Sequence, residues 1–582
     1  MRLARPLAAA PVPEGAAPRA AAPLAAWAGA AAPLALALAA LAAAIVAQAS
    51  FGAIADVSWM ITISEKWLDG ATPYVDFIET NPPAAILLYL PPVALARALG
   101  AHAEFVVAAW GFAACGVSAL ATAMILRRAG LLIELGPASL GAALFALTLL
   151  PGRAFDERDF FVALLGLPAL AVAAARAAGA TPGARSAAVA GLCMAAVVAI
   201  KPPYGLLFVG PAAYLAARRG LATALRAGEY WLAAAAALAY GGIVVWRFPA
   251  YVSDVLPAVA AAYLPVREAA RDLIVNAAVV AWAAFAVALA LVAGPRLRAP
   301  LVATPALAAV GALATFFIQG KGWLYQAYPA LALIALAFGA ALDRRGAARG
   351  RLAGLAAAGL ASAAVGALAP IPPFAGAIAV ALIGGGVWFG LAGRRMAAAE
   401  REARLVELAA AAIAGALWLF FAAPPTAPDP AFVRAVAALG AHPRLAAIAE
   451  GLGIGFPLVR EVDGAWVQRT QGLLLTSGAR RLIDEHPGDA ALAARLAPII
   501  ARDRDMLAQD IRRNRPDGIL VNTVNPRFHR WALADPTLAA ALADYRLATS
   551  SRAADWPIDL YVRKDEIGLR STLSEPDAAA IP

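Results

Sequence analysis

Five carboxylates lie within the 28 residues from Asp56 to Pro83, directly after the first long apolar run of the chain. Acidic side chains at the edge of a bilayer are costly to desolvate, so their density here indicates a function. Asp56 stands where the apolar run ends, near a helix end and close to bulk water. A carboxylate at such a point could accept a proton from an acceptor hydroxyl or hold a divalent cation. Asp56 is therefore the first candidate catalytic residue.

A second charged patch, P-G-R-A-F-D-E-R-D-F-F, follows the fourth apolar run. Its acids Asp156, Glu157 and Asp159 are candidates to orient an acceptor, and its bases Arg153 and Arg158 are candidates to hold a phosphate. Asp159 is the strongest of the acids because it immediately precedes an apolar helix that would hold it rigidly. The alternative is a charged cap that only anchors a helix at the interface.

Two lysines stand beside helix breakers between apolar segments. Lys201 precedes two prolines, and Lys321 lies between glycines in F-F-I-Q-G-K-G-W-L-Y-Q, a polar knot that also contains Gln319 and Tyr325. A buried ammonium needs an anion, which a lipid phosphate would supply. The alternative for each lysine is snorkelling at a helix end.

The composition defines the class of protein that carries these residues. Hydrophobic residues make up 62% of the 582, charged residues only 15%, and the mean hydropathy is +0.72, which excludes an ordinary soluble enzyme. The net charge of +10 comes largely from arginine clusters between apolar runs, so the positive-inside rule explains it better than nucleic-acid binding. We predict a mainly α, polytopic membrane protein with no nucleic-acid partner.

The apolar runs predict about thirteen membrane spans between residues 27 and 423, after a cytoplasmic tail at 1–26. Fourteen segments are apolar enough to count, at about 27–50, 83–99, 104–126, 136–151, 160–178, 186–200, 202–217, 229–246, 273–294, 300–318, 327–342, 352–369, 374–391 and 405–423. Alternating basic clusters require one of them not to cross, and the proline-rich segment 83–99 is the best candidate. A cytoplasmic Asp56 loop and a merged 186–217 helix are the alternatives.

Residues 424–582 have ordinary charge density and predict a small external α/β domain. The runs at 518–524 and 558–564 predict strands, and those at 490–513 and 536–545 predict helices. Within the membrane half, the external loop 51–82 is predicted to contain an amphipathic helix lying in the interface and ending at Asp69 and Gly70. A second external loop, 247–272, is amphipathic as well.

The membrane half resembles the GT-C superfamily of glycosyltransferases that use polyprenyl-phosphate sugars, which includes protein mannosyltransferases and aminoarabinose transferases. The resemblance rests on Asp56, on the run G-x-x-P-Y-x-D-F-x-E-x-N-P-P and on the second acidic patch. It implies that Asp56 is the catalytic base, or a metal ligand as in some branches. It also implies that the loop 247–272 is a lid over the donor site, with Tyr251, Tyr263 and Arg267 as candidates.

The same resemblance gives roles to four residues of the first loop. Tyr74, Asp76, Glu79 and Asn81 would support the site, although relatives often carry Lys where this chain has Asn81. No cofactor is certain, and a divalent cation is compatible with the acids. The implied location is a bacterial-type inner membrane, with the C-terminal domain in the periplasm.

The sequence therefore predicts a glycosyltransferase that moves a sugar from a polyprenyl phosphate to a cell-envelope glycan, lipid or protein. Asp56 would act as base, while Lys201, Lys321, Arg158 and Arg153 would stabilise the leaving phosphate. The rival class is a lipid or polysaccharide transporter, for which broken helices with charges at the midplane are typical. Here the charges gather in loops at one face. A non-catalytic scaffold for the C-terminal domain is the third hypothesis, which leaves the acidic first loop unexplained.

Overall fold

The computed structural model describes residues 38, 41–46, 48–49, 52–343, 429–553 and 556–565. Its membrane half is built from helices, which we number in chain order. They are α1 (Ala55–Leu68), α2 (Pro83–Leu87), α3 (Leu90–Leu99), α4 (Ala103–Arg128), α5 (Pro137–Leu144), α6 (Arg158–Ala178), α7 (Ala184–Ile200), α8 (Val209–Arg219), α9 (Leu221–Leu225), α10 (Gly228–Arg247), α11 (Leu256–Ala258), α12 (Ala270–Ile274), α13 (Ala277–Ala293), α14 (Pro300–Gln319) and α15 (Leu324–Asp343). Two π-helical turns, Tyr251–Val255 and Val259–Tyr263, flank α11.

Five helices in the described part of the chain are long and apolar enough to cross a bilayer: α4, α6, α10, α14 and α15. Each coincides with an apolar run that the sequence assigned to a span. Helices α6 and α15 are buried for most of their length, whereas α4 and α10 expose most of theirs. Helices α6 and α15 therefore belong to the core of the membrane half, and α4 and α10 lie at its periphery.

The segment 83–99 is divided by a turn into α2 and α3. Leu88 and Tyr89 at this turn keep right-handed helical dihedrals, so the 17 residues from Pro83 to Leu99 would rise about 25 Å, against a hydrocarbon core of about 30 Å. Whether the segment crosses, and on which face the Asp56 loop lies, stay predictions. The predicted 186–217 pair is separated at Lys201, where α7 ends. The predicted spans at 352–369, 374–391 and 405–423, and most of 27–50, lie outside the described residues, so the count of thirteen also stays a prediction.

The prediction that α1 is amphipathic, with one face exposed, is wrong, whereas its position relative to the membrane interface stays a prediction. Eight consecutive residues, Val57 to Ser64, are buried, so the helix has no exposed face along this stretch. The C-terminal domain covers it: Arg460 forms ion pairs with Glu65 of α1 (2.7 Å) and with Glu104 of α4. Helix α1 is therefore an internal element between the membrane helices and the C-terminal domain.

The C-terminal domain has a five-stranded mixed sheet. Its elements are α16 (Pro430–Ala437), β1 (Arg444–Ile448), α17 (Leu458–Glu461), β2 (Ala465–Trp466), α18 (Leu474–Glu485), α19 (Ala490–Asn514), β3 (Gly518–Asn522), α20 (Pro526–Ala534), α21 (Pro536–Leu542), β4 (Tyr545–Ala553) and β5 (Trp556–Arg563). The strand order is β2-β1-β3-β5-β4; β2, β1 and β3 are parallel, and β5 and β4 are antiparallel to their neighbours. Both predicted strands and both predicted helices are present.

Candidate active site

A cavity of about 960 Å³ lies between the membrane helices and the C-terminal domain, and we call it the central cavity. Most of the predicted site residues line it: Asp56, Asn81, Arg153, Arg158, Lys201, Gln319, Lys321 and Tyr325. Among the described residues, its charged lining consists of one carboxylate and four cations. The surface is suited to an anionic ligand placed beside a single base.

Asp56 occupies the first turn of α1, and its Oδ1 accepts a hydrogen bond of 2.7 Å from Arg158 Nη2. Its side chain keeps 22% of its surface exposed, towards the cavity. Burial raises the pKa of the Asp56 carboxyl, and the Arg158 guanidinium opposes that shift. A carboxylate with a raised pKa is a stronger base than an ordinary aspartate, and it remains in reach of a ligand.

Arg158 is the centre of an acidic cluster. Its side chain is 4% exposed and lies 3.9 Å from Glu79 Oε1 and 3.8 Å from Glu157 Oε2, besides its contact with Asp56. Its Nε and Nη1 make no hydrogen bond among the described residues. The predicted phosphate contact from Arg158 must therefore compete with Asp56, Glu79 and Glu157, of which Asp56 is the nearest at 2.7 Å.

Glu79 connects the first loop to this cluster. One oxygen accepts from Trp59 Nε1 at 2.5 Å, and the other accepts from the backbone N–H of Asn81 at 2.8 Å and from its side chain at 2.5 Å. The hydroxyl of Tyr74 donates to the Asn81 carbonyl at 2.8 Å. Asn81 is thereby fixed at the cavity wall. Asp76 is exposed and accepts from a loop backbone N–H, which is a local turn and not part of the cavity.

Lys201 follows the last residue of α7, where two prolines prevent the helix from continuing. Its Nζ lies 2.8 Å from Asp159 Oδ2, and the hydroxyl of Tyr204 donates to the other oxygen of the same carboxylate. Asp159 is fully buried and does not reach the cavity, whereas Lys201 is 13% exposed and lines it. The arrangement makes Asp159 a positioning residue for Lys201.

Lys321 is held by the segment that the sequence predicted as a lid. Its Nζ donates to the carbonyls of Tyr263 (2.6 Å) and Val266 (2.5 Å) and lies 4.0 Å from the Tyr263 ring centroid. Burial, with nearby Arg481 and Arg267, lowers the pKa of Lys321 to about 8. Lys321 lines the cavity, but its hydrogen bonds fix the end of the lid segment.

The other two acids of the second patch point away from the central cavity. Asp156 has a positive φ of 63°, and its carboxylate packs against α4 so closely that only a glycine fits at Gly111. Glu157 is the N-cap of α6 and is fully buried; burial and the Asp56 charge raise its pKa to about 8. Neither residue is placed to contact a ligand in the cavity.

The C-terminal domain contributes wall residues that the sequence analysis missed. Gly451, Leu452, Gly453 and Gln471 lie after the carboxyl ends of the parallel strands β1 and β2 and line the central cavity. Ligands commonly bind at this edge of a parallel sheet. The run G-L-G-I-G after an apolar strand was the available signal. Among the described residues, no group of three or more His, Cys, Asp or Glu is arranged to hold a metal ion.

Comparison with protein-family models finds no match, and comparison with curated proteins finds none either. Solved structures do match. A crystal structure of ArnT from Cupriavidus metallidurans bound to undecaprenyl phosphate aligns over 95% of this chain and 100% of its own, at 15% identity and a TM-score of 0.58. This chain has the ArnT fold. The apo structure of ArnT matches equally, over 95% of this chain with a TM-score of 0.57 and 14% identity.

The match to ArnT extends over both halves of the molecule, because 95% coverage of this chain must include the C-terminal domain as well as the membrane helices. The predicted fold class, a helical membrane protein with a small C-terminal α/β domain, is confirmed, and its architecture is similar to that of ArnT. At 14–15% identity, the likeness to ArnT describes architecture and does not transfer residue roles.

Proposed function

We propose that this chain is an integral membrane glycosyltransferase that moves a sugar from a polyprenyl phosphate to an acceptor outside the cytoplasm. The observation that carries the proposal is the central cavity, where the carboxylate of Asp56 lies in the same lining as Arg153, Lys201 and Lys321. The crystal structure of ArnT, which has a similar fold, contains bound undecaprenyl phosphate, and this supports a lipid-phosphate donor for this chain.

In the proposed reaction Asp56 takes the proton of an acceptor hydroxyl as its oxygen attacks the anomeric carbon of the donor sugar. The bond from that carbon to the phosphate oxygen breaks, and polyprenyl phosphate leaves with the electron pair. Lys201 and Arg153 stabilise the charge on the leaving phosphate, and Arg158 orients Asp56. A single displacement of this kind inverts the anomeric configuration.

The rival transporter hypothesis predicts broken helices with charged groups near the bilayer midplane. In the described residues the charged groups near the cavity stand at helix ends: Asp56 in the first turn of α1, Arg158 and Asp159 in the first turn of α6, and Lys201 after the last turn of α7. This clustering at one end of the helices favours chemistry at a membrane face. We propose that this face is the periplasmic side of the inner membrane.

Native mass spectrometry of the purified protein tests the donor class. We expect bound undecaprenyl phosphate on the parent protein and a large loss of it in Lys201→Met, with Arg97→Met as the matched control because Arg97 pairs with Asp69 outside the cavity. Equal lipid retention by the two variants would contradict a phosphate site at Lys201. Lipid movement between leaflets of reconstituted vesicles, without sugar transfer, would favour the transporter.

A further inference from the structure

A second cavity, of about 300 Å³, adjoins the central cavity, and we call it the side pocket. The two share Thr80, Gln471 and Leu474 as wall residues, so they meet beside the first loop. The side pocket is bounded by the predicted lid segment 247–272 on one side and by α19 of the C-terminal domain on the other. Its volume is at the lower end of the range for small-ligand sites, about 300–1,000 Å³, and it lies at a domain interface, where such sites are frequent.

The linings of the two cavities have net charges of opposite sign. In the part of the chain that the structure describes, four cations and one carboxylate line the central cavity, whereas the charged residues of the side pocket are Asp254, Asp503 and Arg502. Arg502 lies 3.2 Å from Asp254, so that ion pair has no net charge and Asp503 gives the side pocket a net negative charge. A phosphate is favoured in the central cavity and disfavoured in the side pocket.

The polar lining of the side pocket is suited to hydroxyl groups. Ser253 and Asp254 contribute an alcohol and a carboxylate from the lid segment, and Thr80, Thr470 and Gln471 contribute alcohols and an amide at or near the junction with the central cavity. Hydroxyl and amide groups both donate and accept, and a carboxylate accepts two or more hydrogen bonds. A sugar ring presents the complementary set of donors and acceptors.

We propose that the side pocket binds the acceptor, and that the acceptor is a carbohydrate without negative charge at its reacting end. This inference rests on the proposed function, since it gives the second substrate of the same transfer. An acceptor ring in the side pocket would present a hydroxyl through the junction at Thr80 and Gln471 towards Asp56, while the donor phosphate occupies the cationic central cavity.

Site-directed alkylation separates the two sites in the full-length protein. Ser253→Cys places a thiol in the side pocket, Leu264→Cys places one in the central cavity, and Ala260→Cys is the matched control, exposed on the same lid segment outside both cavities. The rate of reaction with N-ethylmaleimide is measured for each variant, and the rate measured for the parent protein is subtracted as background. The ligands are methyl α-glucoside, methyl α-mannoside, methyl β-galactoside, glucose 6-phosphate and undecaprenyl phosphate.

We expect at least one neutral glycoside to slow alkylation of Ser253→Cys by about threefold or more, the effect of two-thirds occupancy, and to leave Ala260→Cys unchanged. Glucose 6-phosphate should have a smaller effect at the same concentration. No protection by any glycoside, equal protection by glucose 6-phosphate, or equal protection of Ala260→Cys would overturn the proposal.

The donor arm distinguishes this proposal from the proposed function. Undecaprenyl phosphate should protect Leu264→Cys and leave Ser253→Cys reactive. Failure to protect Leu264→Cys would count against the lipid-phosphate donor, whereas the response of Ser253→Cys to glycosides would still decide whether the side pocket binds a neutral carbohydrate.

Discussion

Replacing Lys201 separates its two roles, as partner of Asp159 and as a phosphate ligand. Lys201→Met leaves the carboxylate of Asp159, which is fully buried, with Tyr204 as its remaining side-chain partner. Removing one member of a buried ion pair costs about 3–5 kcal/mol of stability. Asp159→Asn combined with Lys201→Met removes both charges, so most of that loss should be recovered.

Donor binding should follow a different pattern in the same variants. A charge-assisted hydrogen bond is worth about 1.5–3 kcal/mol, so Lys201→Met should weaken undecaprenyl phosphate binding by roughly 10- to 150-fold. The double variant should bind as weakly as Lys201→Met although it is more stable. Asp159→Asn alone keeps the ammonium and should bind the lipid within about threefold of the parent, a difference of about 0.7 kcal/mol.

Thermal unfolding in detergent and lipid titration by intrinsic fluorescence measure the two quantities for all four proteins. The reasoning would be refuted if Asp159→Asn lost lipid binding as completely as Lys201→Met, because Asp159 would then contribute more than position. It would also be refuted if the double variant regained binding together with stability.

Three further predictions concern the supports of the site. Lys321→Met removes both hydrogen bonds to the lid carbonyls, so trypsin should cleave faster at Arg267; an unchanged rate would show that Lys321 does not hold the lid. Arg460→Met removes the ion pairs to Glu65 and Glu104, and the C-terminal domain should become more accessible to protease, with unaltered accessibility as the contrary result. Burial raises the pKa of Glu157 from about 4.5 in the unfolded chain to about 8 in the folded state, so protonated Glu157 contributes stability at low pH, and this contribution is lost as the pH rises from about 4.5 to about 8. In thermal unfolding, the stability of Glu157→Gln should therefore vary less with pH over this window than that of the parent protein. An unchanged pH dependence would contradict the raised pKa.

The membrane helices could be predicted because an apolar run of about 20 residues in a bilayer has few alternatives to a helix. Lys201 could be placed at the site because Pro202 and Pro203 end the helix there, whatever the tertiary structure. The apolar runs for α6 and α14 locate their helices to within two residues.

The direction of individual side chains could not be predicted. Asp156 and Asp159 lie three residues apart in one charged patch, yet Asp156 packs against Gly111 of α4 and Asp159 against Lys201, because tertiary packing decides which way each side chain points. The burial of α1 was missed because its cover, including Arg460, comes from a domain some 400 residues later. Gly451 and Gln471 enter the cavity wall for the same reason.

The role of Asp56 as base is tested most directly by sugar transfer from an undecaprenyl-phosphate-linked donor to an acceptor hydroxyl in Asp56→Asn. The substitution keeps the size of the side chain, and Asp76→Asn is the matched control, an exposed acid of the same loop outside the cavity. General base catalysis contributes about 10²–10⁴-fold, so turnover should fall by that factor in Asp56→Asn while lipid binding and the rate of Asp76→Asn stay near the parent values. Full turnover by folded Asp56→Asn would contradict the assignment of Asp56 as the base.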